Sequence, residues 1–349
     1  MITSEDLKTA VRSGLISEAQ ATGLTALADQ RMQEAAGLTP SEEPFQLFRG
    51  FNEIFIVIGL SILFAGWTGV LAAILTAEGL PGTLSSLAGV ALTLAGLYGV
   101  QRYFTLTRRM VAPSIALAVM FGLSFLTLGG ILGEALDLPF GLLKPLTFAT
   151  AAVGMMVHYR IFRVPFDALL IGGAVFTTVW TWLAHRNMVP DDAFALLHFS
   201  SSGLPALLSM AFGLGCFALA MRFDLSDPRR ISTRAATGFW LHVLAAPAII
   251  NPLALRLLSY DHSLPLLAIL CLLALVALVI DRRSFLVSGA AYAVGIVFAL
   301  FDSPMLVILG LGFGLVFLGA QWDRLRGALL RALPEFPGKS RLPPYGQRI

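Results

Sequence analysis

Long apolar runs, broken at intervals by charge, glycine or proline, set the plan of the chain. Ten such runs begin near Ile54, Leu84, Pro113, Pro145, Phe166, Leu204, Ala236, Leu264, Phe285 and Met305, and the last ends near Trp322. A helix of roughly 20 apolar residues crosses the hydrocarbon of a bilayer, so the pattern predicts an all-α, polytopic transmembrane bundle of about ten spans. The run from Pro145 to Tyr159 is short for a crossing, which predicts a helix extended into its flanks or a locally thinned membrane. The segment before the runs is polar and helical in pattern. Ser4-Glu5-Asp6-Leu7 opens a first helix and Gly14 suits its C′ position. Ser17-Glu18-Ala19-Gln20 reads as a capping box opening a second helix, which runs to about Ala36. Pro40 to Pro44 is a linker. Three regions follow: a small cytoplasmic helical hairpin and linker (1–44), the bundle (45–323) and a basic tail (324–349). The tail starts as an amphipathic helix suited to an anionic leaflet and finishes in a stretch rich in proline (Pro334, Pro337, Pro343, Pro344).

Composition agrees with a membrane protein. Of 349 residues 57% are hydrophobic and 13% charged, with a mean hydropathy of +0.80. That is about half the charge of a soluble domain, and it excludes a cytosolic enzyme, a secreted disulfide scaffold and a nucleic-acid binder. The 24 Lys and Arg residues set the orientation. With the N-terminus in the cytoplasm, all of them except Lys144, Arg186 and Arg256 fall on the cytoplasmic side, as the positive-inside rule requires. Both termini are therefore expected in the cytoplasm. Cys216 and Cys271 lie inside apolar runs and behave as small hydrophobes. The polar start holds no apolar core of a secretory signal, so no cleaved signal is expected.

The box Gly14-Leu15-Ile16-Ser17-Glu18-Ala19-Gln20-Ala21, followed by a linker and a series of spans, resembles a family of uncharacterised bacterial multi-pass membrane proteins with a similar N-terminal helical box. Phe239-Trp240-Leu241-His242-Val243-Leu244-Ala245-Ala246-Pro247 is similar to a segment of such proteins. The resemblance implies this architecture in a bacterial inner membrane and carries over no catalytic or binding residue.

Candidate chemistry concentrates in the seventh span. Between Arg234 and Arg256 lie 22 steps along the chain, about 33 Å of helix at 1.5 Å per residue. Pro247 falls near the midplane, with His242 one turn toward the cytoplasm and Asn251 one turn outward. Pro247 and Pro252 free backbone carbonyls that need other donors. Trp240, Pro247 and Asn251 share one face, whereas His242 points away from it. One reading is a broken helix lining a solute or proton path, with His242 titrating and Asn251 bonding the cargo. The other is a kinked packing helix whose polar groups bond to neighbouring backbone. Glu134, after Gly129-Gly130-Ile131-Leu132-Gly133, has no basic neighbour before Lys144 and is a candidate for a cavity mouth.

Other groups read more plainly. Asp281 beside Arg282 and Arg283, and Asp167 near Arg163, read as ion-paired caps at the membrane border. His185, His198 and His262, with Asp191, Asp192 and Asp261, have metal-binding chemistry without ligand spacing, so solvated loops are expected and no metal is assigned. A haem between His158 and His242 is specified by nothing in the sequence, and no cofactor is expected. Glycine pairs such as Gly129/Gly133, and the Gly310-x-Gly312-x-Gly314 series, suit close helix packing. Hydrolase and intramembrane-protease motifs are absent from the sequence. A small-solute permease is the leading reading. A non-transporting scaffold, assembly factor or sensor, recruiting a cytoplasmic protein through residues 1–44, is the alternative, and an intramembrane enzyme is a minor one. The expected partners are the lipid bilayer, a small solute and that cytoplasmic protein, with no nucleic acid. A permease calls for a polar cavity at His242 or Asn251; a scaffold calls for a packed interior and a groove on the hairpin.

Overall fold

The computed structural model describes residues 4–36, 52–77, 82–191, 203–227, 232–259, 263–282, 304–335, 338–339 and 342–343. Among them every regular element is helical: α1 (Ser4–Arg12), α2 (Glu18–Ala36), α3 (Asn52–Ala77), α4 (Gly82–Gln101) with a π-helical continuation (Arg102–Thr107), α5 (Val111–Ala135), α6 (Phe140–Phe162), α7 (Asp167–His185), α8 (Gly203–Ser226), α9 (Thr233–Ser259), α10 (Ser263–Ile280), α11 (Pro304–Ala320) and α12 (Trp322–Ala332). Seven of them, α3 to α9, are long and apolar enough to cross a membrane. The chain is a multi-pass integral membrane protein. These seven coincide with the first seven expected spans. The short fourth run is extended into both flanks, because α6 spans 23 residues with Pro145 inside it. The eighth and tenth expected spans fall on α10 and α11, apolar helices of 18 and 17 residues. The ninth lies outside the described residues.

The hairpin forms as its capping signals dictate. Gly14 takes a φ of +73°, open to glycine without a Cβ penalty. Leu15 N–H then reaches the Ala10 carbonyl at 2.9 Å and Gly14 N–H the Val11 carbonyl at 3.0 Å, the two bonds of a Schellman stop. Ser17 and Gln20 close both halves of the capping box: Gln20 N–H donates to Ser17 Oγ at 3.2 Å, and Ser17 N–H to Gln20 Oε1 at 2.9 Å.

Within the bundle, α5 packs on α6, α6 on α7, α7 on α9, and α9 on both α8 and α10, while α3 and α4 lie against α5. Lipid supplies no hydrophobic force between helices, so close packing and internal polar bonds must hold them. Small residues permit that closeness. A Cβ at Gly129 would lie 2.6 Å from the Thr147 Cα, one at Gly154 would lie 2.4 Å from the Phe125 ring, and one at Gly213 would lie 2.8 Å from Ile249. Large residues fill what remains between α5 and α6, namely Leu117, Met120, Phe121, Met155 and Phe162, whereas Ile250 and Ile280 interleave with the small Ala246 and Ala277 between α9 and α10. Phe55, Ile62, Leu63 and Val70 of α3 face outward, where lipid solvates them. Cys216 and Cys271 are free thiols.

The tail helix also packs on the bundle. Trp322 is 2% exposed and joins the α9–α10 cluster, and its indole N–H donates to Asp281 at 2.6 Å. Arg326 is buried and donates to the Pro343 carbonyl at 2.7 Å. One face of α12 thus docks on protein, leaving Arg324 and Arg331 exposed on the other. Asp281, expected to cap beside Arg282 and Arg283, accepts from this indole, and Arg282 turns inward.

Candidate functional site

Successive spanning helices run in opposite directions, so the ends of α4, α6, α8 and α10 meet the starts of α5, α7 and α9 at one end of the bundle. Most of the buried ionisable side chains gather there. His242, in the third turn of α9, is fully buried, and its Nε2 lies 2.9 Å from Asp224 Oδ2, near the end of α8. Arg282, just past α10, approaches the same carboxylate with two nitrogens: Nε donates to Oδ2 at 3.0 Å, and Nη2 donates to Oδ1. Nη2 also donates to the Ala235 carbonyl in the first turn of α9 at 3.0 Å. Three helices are thereby tied through one carboxylate. A guanidinium suits the task because its planar fork matches both carboxylate oxygens. Gly238, one turn before His242, makes the room, since a Cβ there would lie 2.7 Å from Asp224 Oδ1. The Phe217 ring stands edge-on to the imidazole at 5.6 Å.

A second pair lies on the neighbouring hairpin. His158, one turn from the end of α6, places Nδ1 2.7 Å from Oδ2 of Asp167, the first residue of α7. The two residues are 3% and 0% exposed. Phe121 and Phe162 stand 4.7 and 4.8 Å from the imidazole. Asp167 thus takes an imidazole as its partner, where an arginine cap was expected. The two hairpins touch through Phe166 against Trp240, perpendicular at 4.7 Å, and through the Tyr159 and Thr237 hydroxyls, 3.4 Å apart.

A third polar group closes the same end. Gln101 donates to Thr105 at 2.7 Å, and the Thr105 hydroxyl meets Ser114 at the same distance. All three residues are buried. The π-helical turn after α4 places Thr105 on this line; single π turns of this kind recur at functional sites.

The residues expected to line a path are dispersed. His242 is sealed in the carboxylate cluster. Trp240, Pro247 and Asn251 are half-buried along α9, and Glu134 is exposed at the opposite end of α5. Helix α9 continues through both prolines from Thr233 to Ser259, so of the two readings of this span the packing helix, and not the broken one, describes its backbone. The Ala248 carbonyl, freed because Pro252 lacks an N–H, accepts from the buried Ser209 hydroxyl of α8 at 3.1 Å. The direction of His242, away from the Trp240 face, is as the helical spacing predicts, but its partner is a side chain and not backbone.

The space in the bundle lies elsewhere. A cleft of about 470 Å³ opens between α3, α4 and α5, walled by Phe64, Leu71, Leu75 and Leu123 with the hydroxyls of Thr68, Ser85, Ser124 and Thr127 among them. None of the five expected path residues lines it. Its hydroxyls donate to carbonyls of their own helices. At the far end of the bundle, Lys144 pairs with Asp191 at 2.7 Å, and Gly141 gives room to the His185 ring. Asp192, His198, Asp261 and His262 lie outside the described residues. Among the described residues no group of three His, Cys, Asp or Glu side chains is arranged to hold a metal ion. The imidazoles of His158 and His242 engage separate carboxylates on separate hairpins, an arrangement unlike a haem's pair of axial ligands.

Sequence reasoning passed over Asp224 and gave Arg282 an orienting role and a cap with Asp281, not a carboxylate on another helix. A carboxylate one turn inside the end of a span, with Gly238 and His242 one turn apart on the next helix, is the available local signal. Comparison with models of known protein families, with characterised proteins and with solved structures gives no match.

Proposed function

We propose that the chain is a small-solute permease of a bacterial inner membrane, with about ten spans and both termini in the cytoplasm. Helices α10 and α11 and the apolar run near Phe285 supply the three spans beyond the seven. The distribution of Lys and Arg supports the orientation. The N-terminal box supports membership of the uncharacterised multi-pass family that it resembles.

The carrying observation is the pair of carboxylate–imidazole clusters packed inside one end of the bundle. On insertion scales a charged side chain at membrane depth costs about 2.5–3.5 kcal/mol, and such groups mark solute and proton pathways. Well-packed apolar residues would join the same helices at no greater cost. Ionisable side chains kept at this cost, with a His158–Asp167 pair that no Lys or Arg among the described residues balances, therefore favour a task beyond cohesion. The α3–α4–α5 cleft, away from the His242 and Asn251 positions where a permease cavity was expected, has the volume of a small-ligand site and carries the hydroxyls of Thr68, Ser85, Ser124 and Thr127 in its lining.

A second reading has its own observation. Between α1 and α2 a groove of about 540 Å³ is lined by Leu7, Val11 and Ala21 with Lys8, Arg12 and Glu18, which favours a scaffold or sensor that recruits a cytoplasmic protein. Thermal melting of the purified protein against a panel of metabolites, lipids and divalent metals separates the two. A ligand of the folded state raises stability by about 2.7 kcal/mol at a hundredfold excess over Kd. The permease reading expects one solute class to raise Tm saturably, and Thr68→Val with Ser124→Val to weaken the effect. A flat response across the panel overturns it in favour of the scaffold.

A further inference from the structure

The two carboxylate–imidazole clusters balance their charge in different ways. Asp224 faces Arg282, whose guanidinium stays charged at every accessible pH. That cluster is neutral with a neutral His242. Asp167 pairs with His158 at 2.7 Å, and among the described residues no Lys or Arg forms an ion pair with it. A buried carboxylate with no cation beside it is costly, so the pair holds a proton until rising pH or a structural change that admits water makes its release cheaper. Neutrality at this pair therefore requires one additional proton, held as imidazolium with carboxylate or as imidazole with carboxylic acid. The proton belongs to the pair in either form.

Geometry supports a site that exchanges this proton. His158 Nε2 and Asp167 Oδ1 are buried without a hydrogen-bond partner, although an unmet buried polar atom costs about 1–3 kcal/mol. They are the two positions at which a proton can arrive or leave without breaking the bond between the residues. Phe121 and Phe162 shut the ring away on its sides, while Asp167 sits at the very start of α7, one short turn from the end of α6. The titratable and charged groups at this end of the elements around the pair are Glu53 (α3), Tyr98 (α4), Arg102 and Tyr103 (π-helical turn), Arg108 and Arg109 (the turn before α5), Tyr159 and Arg160 (α6), Arg163 (the α6–α7 turn), Arg222 and Asp224 (α8), Arg234 and His242 (α9), and Arg282 (just past α10). Tyr98 packs on Phe162, Tyr159 meets Thr237, and Asp224 is held by Arg282 and His242.

We propose that the His158–Asp167 pair is a proton-binding site that takes up and releases one proton, and that the Asp224–Arg282–His242 cluster beside it is a fixed tie whose protonation does not change. If the chain is a permease, this proton is its coupling ion, a statement that rests on the reading above; the site itself rests on the charge balance of the pair.

Nuclear magnetic resonance of the full chain in lipid nanodiscs, with ¹⁵N-labelled histidine, tests the site across roughly pH 5 to 8, where histidine changes charge. The His158 signals, identified by their loss in His158→Gln, follow a single-proton titration, while those of His242 stay those of a neutral ring. Asp167→Asn changes the proton affinity of His158 by tenfold or more. If His158→Gln does not fold, Phe121→Leu identifies the same signals, because removing the adjacent ring shifts them and leaves the pair intact. A His158 that stays fixed across the range, or a His242 that titrates in its place, overturns the proposal. A titrating His158 in a protein that moves no solute in proteoliposomes keeps the site and removes the permease reading. Transport with a fixed His158 does the reverse.

Discussion

Replacing Arg282 with Met leaves the Asp224 carboxylate, 5% exposed, with an imidazole as its only remaining partner in the cluster. The lost contacts are the two bonds to the carboxylate and the 3.0 Å bond to the Ala235 carbonyl. Stripping one partner from a buried ion pair costs about 3–5 kcal/mol, because the other charge stays buried without compensation. Replacing both partners with uncharged groups recovers most of that loss. Arg282→Met should therefore destabilise the protein by about 3–5 kcal/mol, and Asp224→Asn with Arg282→Met by much less. The expected coupling is about 2 kcal/mol or more, large for a pair in direct contact. Reversible unfolding in mixed detergent micelles, followed by tryptophan fluorescence, measures both variants and the double variant. Costs that simply add, or an Arg282→Met cost below about 1 kcal/mol, would show that water already screens the carboxylate and that α8, α9 and α10 are held by packing alone.

Three further outcomes follow from the same geometry. Gly238→Ala puts a methyl 2.7 Å from Asp224 Oδ1 and 3.3 Å from the Ala220 carbonyl; this overpacking should cost about 1–3 kcal/mol in the same unfolding assay, and no loss would mean that the cluster is loose. Ser209→Ala strands the Ala248 carbonyl freed by Pro252 and should cost about 1–3 kcal/mol, whereas Thr127→Val, whose hydroxyl bonds a carbonyl on its own exposed helix face, should cost under about 0.5 kcal/mol. Deleting residues 1–44 should leave membrane insertion intact, since the later basic loops set orientation redundantly; a protease-accessibility map of the truncated protein showing inverted or mixed topology would refute that.

The helices were legible because the bilayer imposes their length and polarity, and the hairpin because its caps are local. Ser17 and Gln20, three residues apart, bond each other as the box predicts. Gly14 takes the left-handed φ that its C′ position requires. Contacts across the bundle were not legible. Arg282 and Asp224 lie 58 residues apart and Trp322 lies 41 from Asp281, with nothing local to connect them. Arg282 and Asp281 sit side by side, yet Arg282 turns inward to Asp224 and Asp281 accepts from the Trp322 indole, partners that adjacency does not reveal. The reading of His242 was half complete: helical spacing gave its direction, but its carboxylate partner comes from the preceding helix. The cleft between α3, α4 and α5 was unreadable for a related reason. Its hydroxyls are spread over three spans, and each one alone resembles an ordinary Ser or Thr bonded to its own helix.

Which face of the membrane holds the two carboxylate–imidazole clusters is measured most directly by single-cysteine labelling in cells, after Cys216 and Cys271 are replaced by Ala. Ser226→Cys sits at the cluster end of α8, and Asp137→Cys sits just past α5 at the opposite end; both positions are exposed. A membrane-impermeant maleimide is expected to label the cysteine at 137 in intact cells and the one at 226 only after permeabilisation. Labelling of the cysteine at 226 from outside intact cells, with that at 137 protected, would invert the bundle and place both clusters, and the proton site with them, away from the cytoplasm.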